Sequence, residues 1–234
     1  MLEVAELLEQ NVIMITIHNS GYFITGSDTD VGKTYVTCEI VKQLSQFGLV
    51  LETRKPAESG CELDPSGTMV PADGLKLQAA NQYRENIDRI TPYKFRAALA
   101  PHRAARMEGR QLLLKHLIDA CSQDDCNSTM IVEGAGGFYS PLANDALNAD
   151  LAKWMQLHAI IVINDKIGAV NQALLTIQAI ENSGLTIAAI ILNQLEPNIS
   201  ADMNNLEDLL KHCKHPIFGC GYQQALPLIF NAIG

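Results

Sequence analysis

The residues best suited to chemistry form one run, Gly26-Ser27-Asp28-Thr29-Asp30-Val31-Gly32-Lys33-Thr34. Glycines bracket a short polar loop, and a lysine and a hydroxyl residue close it. Such a loop lets backbone N–H groups turn inward around phosphate oxygens, with the positive end of the following helix behind them. In that arrangement Lys33 bridges the β- and γ-phosphates of a nucleoside triphosphate, and the Thr34 hydroxyl holds Mg²⁺. Five residues separate Gly26 from Gly32, one more than in the usual motif, and Ser27 stands where the first glycine would fall. A chance Gly-Lys-Thr helix start is the competing account. The apolar run before the loop and the helical pattern after it argue against chance.

In an open parallel sheet, ligands bind beyond the carboxyl ends of the strands. Each apolar run of this chain ends on a chemically pointed residue. Lys55 opens Lys55-Pro56-Ala57-Glu58-Ser59-Gly60, and Glu133 opens Glu133-Gly134-Ala135-Gly136-Gly137. Asp165 is followed by Lys166 and by Gly168-Ala169-Val170-Asn171, and Asn193 closes the next run. An unpaired carboxylate at the end of a buried strand is costly, and Mg²⁺ beside the phosphate loop would satisfy Glu133; capping a helix is its alternative role. The glycines after Glu133 let backbone approach a ligand. Lys55 is either a functional cation at a strand end or a solvated edge charge. Asp73 opens a helix after a Pro-Ala step, so it either caps that helix or supplies a second carboxylate for the metal. Asn193-Gln194-Leu195-Glu196 faintly echoes the Asn-Lys-x-Asp base reader of GTPases. Gln194 and Glu196 replace its two charged positions, which argues against guanine, while the Asn193 amide can still bond an adenine edge.

Holding these residues on one edge requires strands that alternate with helices. Strands are expected over 21–25, 49–55, 130–132, 159–164 and 187–192. Helices are expected over 33–47, 72–81, 101–121 (one or two), 147–158, 170–182 and 200–212. Strands apolar on both faces imply a doubly wound, mostly parallel α/β sheet with helices on both faces, of the P-loop NTPase type. Residues 1–20 read as an N-terminal extension that starts with a short amphipathic helix, and residues 21–234 as one domain. The 234 residues are 47% hydrophobic and 18% charged, enough for one substantial core and unlike a disordered chain. The net charge of −9 disfavours nucleic acid as a partner. No apolar run approaches the ~20 residues of a membrane span. Six cysteines without a C-x-x-C pair read as reduced thiols of a cytoplasmic protein. His212-Cys213-Lys214-His215 lacks a second ligand pair and reads as a solvated helix end.

As a set, these signatures resemble the dethiobiotin synthetase family. The resemblance is carried by residues 26–34, by Lys55-Pro56-Ala57-Glu58-Ser59-Gly60, by Ala100-Pro101-His102-Arg103-Ala104-Ala105, by Val132-Glu133-Gly134-Ala135-Gly136-Gly137, and by residues 168–176. It spans from about residue 22 to about residue 219. It implies that 7,8-diaminononanoate takes up CO₂ as a carbamate, that the carbamate attacks the γ-phosphate of ATP, and that the second amine displaces phosphate to close a cyclic urea. It implies Mg²⁺, ATP as co-substrate, a homodimer and a place in biotin synthesis. It makes Lys55 and Lys33 catalytic. Asp30, Val31, Gly32, Lys33, Thr34, Tyr35, Asp73, Glu133, Gly134, Ala135, Gly136, Asn193 and Gln194 become the nucleotide site, with Thr34, Asp73 and Glu133 on the metal. Thr29, Ser59, Gly168 and Asn171 become the substrate site, the last two from the partner subunit. A nucleotide-switch ATPase of the partition or metal-chaperone type is the alternative, but those carry an extra lysine where this chain has Asp28. The segment Gly219-Cys220-Gly221-Tyr222-Gln223-Gln224 lacks the family's Ile-Pro step. Two glycines and no proline predict a mobile loop and weak selection of the base.

Overall fold

A computed structural model describes residues 15–197, 202–226 and 230–231. Six strands form its central sheet: β1 (Gly21–Gly26), β2 (Leu51–Arg54), β3 (Thr129–Gly137), β4 (His158–Asn164), β5 (Ile187–Asn193) and β6 (Ile217–Cys220). They pair in the order β6-β5-β4-β1-β3-β2, and every pairing is parallel. Eight helices are described: α1 (Lys33–Gln46), α2 (Ala72–Ala80), α3 (Ile87–Ile90), α4 (Pro101–Met107), α5 (Leu114–Ala120), α6 (Asn148–Met155), α7 (Ala169–Asn182) and α8 (Asn205–Leu210).

The strands are apolar on both faces because both faces are covered. Successive residues of β1 divide between two buried clusters. Tyr22 and Ile24 join Ile40 and Leu44 of α1 and Leu77 of α2, while Phe23 joins Leu117 of α5, Leu151 of α6 and Ile177 of α7. This is the doubly wound α/β fold expected from the sequence. Register brings the strand ends together: Ile24 stands opposite Glu133, Val162 opposite Gly26, and Asn164 opposite Asn193, which in turn faces Cys220.

Three departures from the sequence reading have physical causes. β3 runs on through its glycines to Gly137, which pairs with Gly26, so the segment after Glu133 is strand and not loop. Ile15–Thr16 pairs with Phe230–Asn231, and Ile15 and Ile17 are buried in the core, so part of the expected extension 1–20 packs with the domain. The amphipathic helix expected at its start falls within residues 1–14, outside the described residues. Finally, the segment 219–224 begins as strand: Gly219 and Cys220 belong to β6. The expected helix 200–212 is described as α8, with residues 198–201 outside the described set.

Candidate active site

Glu133 lies in mid-strand on β3, not at a helix start, so the capping role falls away. It is 1% exposed. Its Oε1 accepts from Lys55 Nζ at 2.5 Å and from Thr34 Oγ1 at 2.7 Å, while its Oε2 has no partner. Lys55 follows the end of edge strand β2 and is itself buried. The strand end is locked: Arg54, fully buried, donates to Glu52 and Glu85, and Glu85 also accepts from the Thr53 backbone N–H. The Lys55 ammonium also approaches Asp73 Oδ2 and the Gly134 carbonyl, each at 3.4 Å. Burial by itself would lower the Lys55 pKa. The charges of Glu133 and Asp73 outweigh it and hold the group above the ordinary lysine value. Burial likewise opposes the Asp73 charge, and Lys55 and Lys76 reverse that, leaving its carboxyl below the usual range.

The phosphate loop stands next to this cluster. Gly32 caps α1 at φ 88°, in the left-handed region, and no side chain caps the helix start. A Cβ at Gly32 would also come within 2.1 Å of Asn193 Nδ2, so glycine is required twice over. Lys33 curls back and donates to the Asp28 carbonyl at 2.7 Å. Burial, and then the neighbouring Lys55 charge, lower its pKa to about 8. A cavity of about 760 Å³ opens over these groups; its walls include Thr29, Asp30, Gly32, Lys33, Thr34, Tyr35 and Lys55. Ser59, Asp73, Glu133, Ala135 and Gly136 complete the part expected from the sequence. Three lysines (Lys33, Lys55 and Lys76), four carboxylates (Asp30, Glu58, Asp73 and Glu133) and an open helix start thus face one space. Such a space suits a polyphosphate whose charge changes during transfer.

A second cavity of about 120 Å³ adjoins the first through Tyr35 and is lined by Asn193, Gln194, Leu195, Tyr222 and Gln223. Asn193 donates its Nδ2 to the Val31 carbonyl at 2.9 Å, tying β5 to the phosphate loop. The expected mobile loop is anchored. Gln194 N donates to the Cys220 carbonyl at 2.9 Å, Gln224 N to the Gly221 carbonyl at 3.0 Å, and Tyr35 Oη to the Gln224 carbonyl at 2.5 Å. These hydrogen bonds hold the segment from which weak selection of the base was expected.

A family model described as an AAA domain matches residues 20–221. The ATP-dependent dethiobiotin synthetase BioD of Ruthia magnifica subsp. Calyptogena magnifica is 40% identical over 192 residues, covering 82% of this chain and 86% of that protein. The protein of the same name from Vesicomyosocius okutanii subsp. Calyptogena okutanii is 42% identical, covering 76% of this chain and 81% of its own. That of Rhodopirellula baltica is 34% identical, covering 89% and 86% respectively. The chain belongs to the dethiobiotin synthetase family.

Against that family's expected site, this chain gathers most residues on one side and leaves two apart. Gly134 and Val31 contribute backbone carbonyls, to Lys55 and Asn193 respectively. Gly168 caps α7 at φ 91° without a side-chain cap, and both it and Asn171 are exposed, outside the two cavities of this single chain. Three contributors escaped the sequence reading. Glu58 lines the main cavity, and burial raises its pKa. Asn148 binds the backbone of Ala135 and Gly137, shaping the glycine run after Glu133. Ser140 accepts from Gly137 N at 2.9 Å. Glu58 could have been noticed as an acidic residue inside the Lys55 motif; nothing local marks Asn148.

Proposed function

We propose that this chain performs the ATP-dependent closure of a cyclic urea on 7,8-diaminononanoate with CO₂, forming dethiobiotin in biotin synthesis. Membership of the family supports the reaction. The observation that carries the site is Lys55, Lys33, Thr34 and Glu133 facing one cavity beside an uncapped helix start. Thr29 and Ser59, on the cavity wall, hold the diamine and its carbamate. The carbamate oxygen attacks the γ-phosphorus and ADP leaves, giving a carbamic-phosphoric anhydride. The second amine then attacks the carbonyl carbon, loses its proton and expels phosphate. Nucleophile and phosphate are both anionic, so the Lys55 and Lys33 charges reduce their repulsion and stabilise the transferring group. The phosphate backbone rests on residues 30–35, and the base lies in the smaller cavity against Asn193 and Gln194.

The residues fit Mg²⁺. The unpartnered, buried Glu133 Oε2 asks for a cation; the Thr34 hydroxyl bonds the other oxygen of that carboxylate, and Asp73 is linked to it through Lys55. Among the described residues no group of three or more His, Cys, Asp or Glu side chains is placed to hold a metal ion by itself; Mg²⁺ ordinarily takes several of its ligands from phosphates and water. Bound there by Thr34, Asp73 and Glu133, Mg²⁺ supplies charge neutralisation to the phosphates.

A homodimer completes the substrate site in this reading. The uncapped start of α7 at Gly168 presents free N–H groups to the substrate carboxylate, with Asn171 one turn on. Ile167 at 88% exposure and Leu175 at 59% leave an apolar face there for a second copy. No described helix is long and apolar enough to cross a membrane, and the described cysteines are free thiols, in keeping with a cytoplasmic enzyme. Phosphate release measured with each substrate omitted in turn tests the function. Strict dependence on both the diamine and bicarbonate is expected; release from ATP alone at the full rate would refute it.

A further inference from the structure

The start of α2 presents Asp73, and its backbone is held in an unusual way. The first N–H groups of a helix have no partner within it and are commonly met by a Ser, Thr, Asp or Asn at the N-cap. Here the N-cap is Pro71, and no side chain of its own segment caps the helix. Glu58 does so from a neighbouring strand, Ala57–Ser59, which is fixed by pairing with Tyr93–Phe95. Its Oε1 accepts from Asp73 N and its Oε2 from Gly74 N, each at 2.9 Å. These are the second and third helical positions, the ones an N-cap side chain ordinarily serves. The opposite side of this turn is closed as well. A Cβ on Gly74 would come within 2.2 Å of Thr91 Oγ1 and 3.2 Å of Ile87 Cδ1. The first turn of α2 is therefore wedged between Glu58 and the α3 end, and Glu58 is only 6% exposed. Relieved of capping, the Asp73 carboxylate turns outward to Lys55 at 3.4 Å and Lys76 at 3.2 Å.

We propose that Glu58 is a positioning residue for the metal and phosphate site: by capping α2 from outside, it keeps the Asp73 carboxylate facing Lys55 and Glu133. Without Glu58, the orphaned N–H groups of the first turn attract the carboxylate on that same turn, which is Asp73. The site then loses a ligand although no ligand has been mutated. This inference rests on the reading of Asp73 as a Mg²⁺ ligand.

The test is Mn²⁺ binding, followed by electron paramagnetic resonance, to full-length protein saturated with a non-hydrolysable ATP analogue. Glu58→Ala and Asp73→Asn should each weaken Mn²⁺ binding about tenfold, the scale of lost outer-shell support. The double variant should bind Mn²⁺ no more weakly than Asp73→Asn alone, because both changes act through one carboxylate. Glu58→Gln keeps one carbonyl acceptor and should show a smaller loss, about threefold; it also serves should Glu58→Ala fail to fold. Unchanged Mn²⁺ binding in the Glu58 variants, with a loss in Asp73→Asn, makes Glu58 a cap alone and overturns the proposal. Additive losses in the double variant overturn it too. Wild-type Mn²⁺ affinity in Asp73→Asn removes Asp73 from the metal site, a separate failure that takes this inference with it.

Discussion

Replacing Lys55 by Met preserves most of the side-chain volume and removes one charge from a buried pair. Lys55 and Glu133 have side-chain exposures of 6% and 0%, and their charged atoms lie 2.5 Å apart. After the change, Glu133 keeps only the Thr34 hydroxyl on Oε1, and Oε2 stays unpartnered. Breaking a buried ion pair from one side costs about 3–5 kcal/mol, since a charge is left uncompensated. At about 2–4 °C per kcal/mol for a chain of this size, ligand-free Lys55→Met should melt about 6–20 °C below wild type. Adding Glu133→Gln removes the stranded charge, so the double variant should recover more than half of that loss. Thermal and urea unfolding of the two single variants and the double form a cycle whose coupling energy reports the pair. If the double variant is destabilised by the sum of the singles, the two groups are not coupled and this account of the site is wrong.

Three further outcomes follow from the geometry. With the Lys33 pKa near 8 in the free protein, and its ammonium favoured by a bound triphosphate, ATP binding at pH 8 should take up about half a proton. Uptake should fade below pH 7, and affinity should weaken as pH rises through 8. Calorimetry in buffers of different ionisation heat measures this, and absence of uptake at pH 8, or uptake retained in Lys33→Met, contradicts it. Asn193 commits its N–H to Val31, leaving Oδ1 to meet the base. An acceptor there suits the exocyclic amine of adenine and repels the guanine carbonyl, so kcat/KM for ATP should exceed that for GTP by at least about tenfold. Equal values within twofold would rule this out. Asn171→Asp places a negative charge near the uncapped start of α7 and should raise the KM for the diamine with little change in that for ATP. Sedimentation of the fully active enzyme as a monomer would exclude the shared site.

The phosphate loop, Lys55 and Glu133 were legible in the sequence because each stands where an apolar run stops, and register then draws those stops to one edge. Asp73 was legible as an acidic helix start, but its role was not: capping and metal binding look alike until Glu58 is seen taking the N–H groups. That contact joins residues fifteen and sixteen positions apart in the chain and has no local signature. The continuation of β3 through Gly134–Gly137 was hidden because glycines read as loop, while the backbone of Ala135 and Gly137 is fixed by the distant Asn148. The anchoring of the 221–224 turn depends on Tyr35, a helix residue 189 positions away from Gln224. Periodicity locates elements, but it does not report which side chain crosses from one to another.

The central claim is that ATP cleavage in this cavity is coupled to ring closure through a carbamate, and labelled bicarbonate tests it most directly. Protein, ATP, Mg²⁺ and 7,8-diaminononanoate are mixed with ¹³C-bicarbonate. Phosphate release and the ¹³C signal of the product are followed together. The account predicts a single labelled cyclic-urea carbonyl formed in step with each phosphate, and loss of both signals together in Lys55→Met. Phosphate released without label in the product, or label incorporated without ATP, would contradict it.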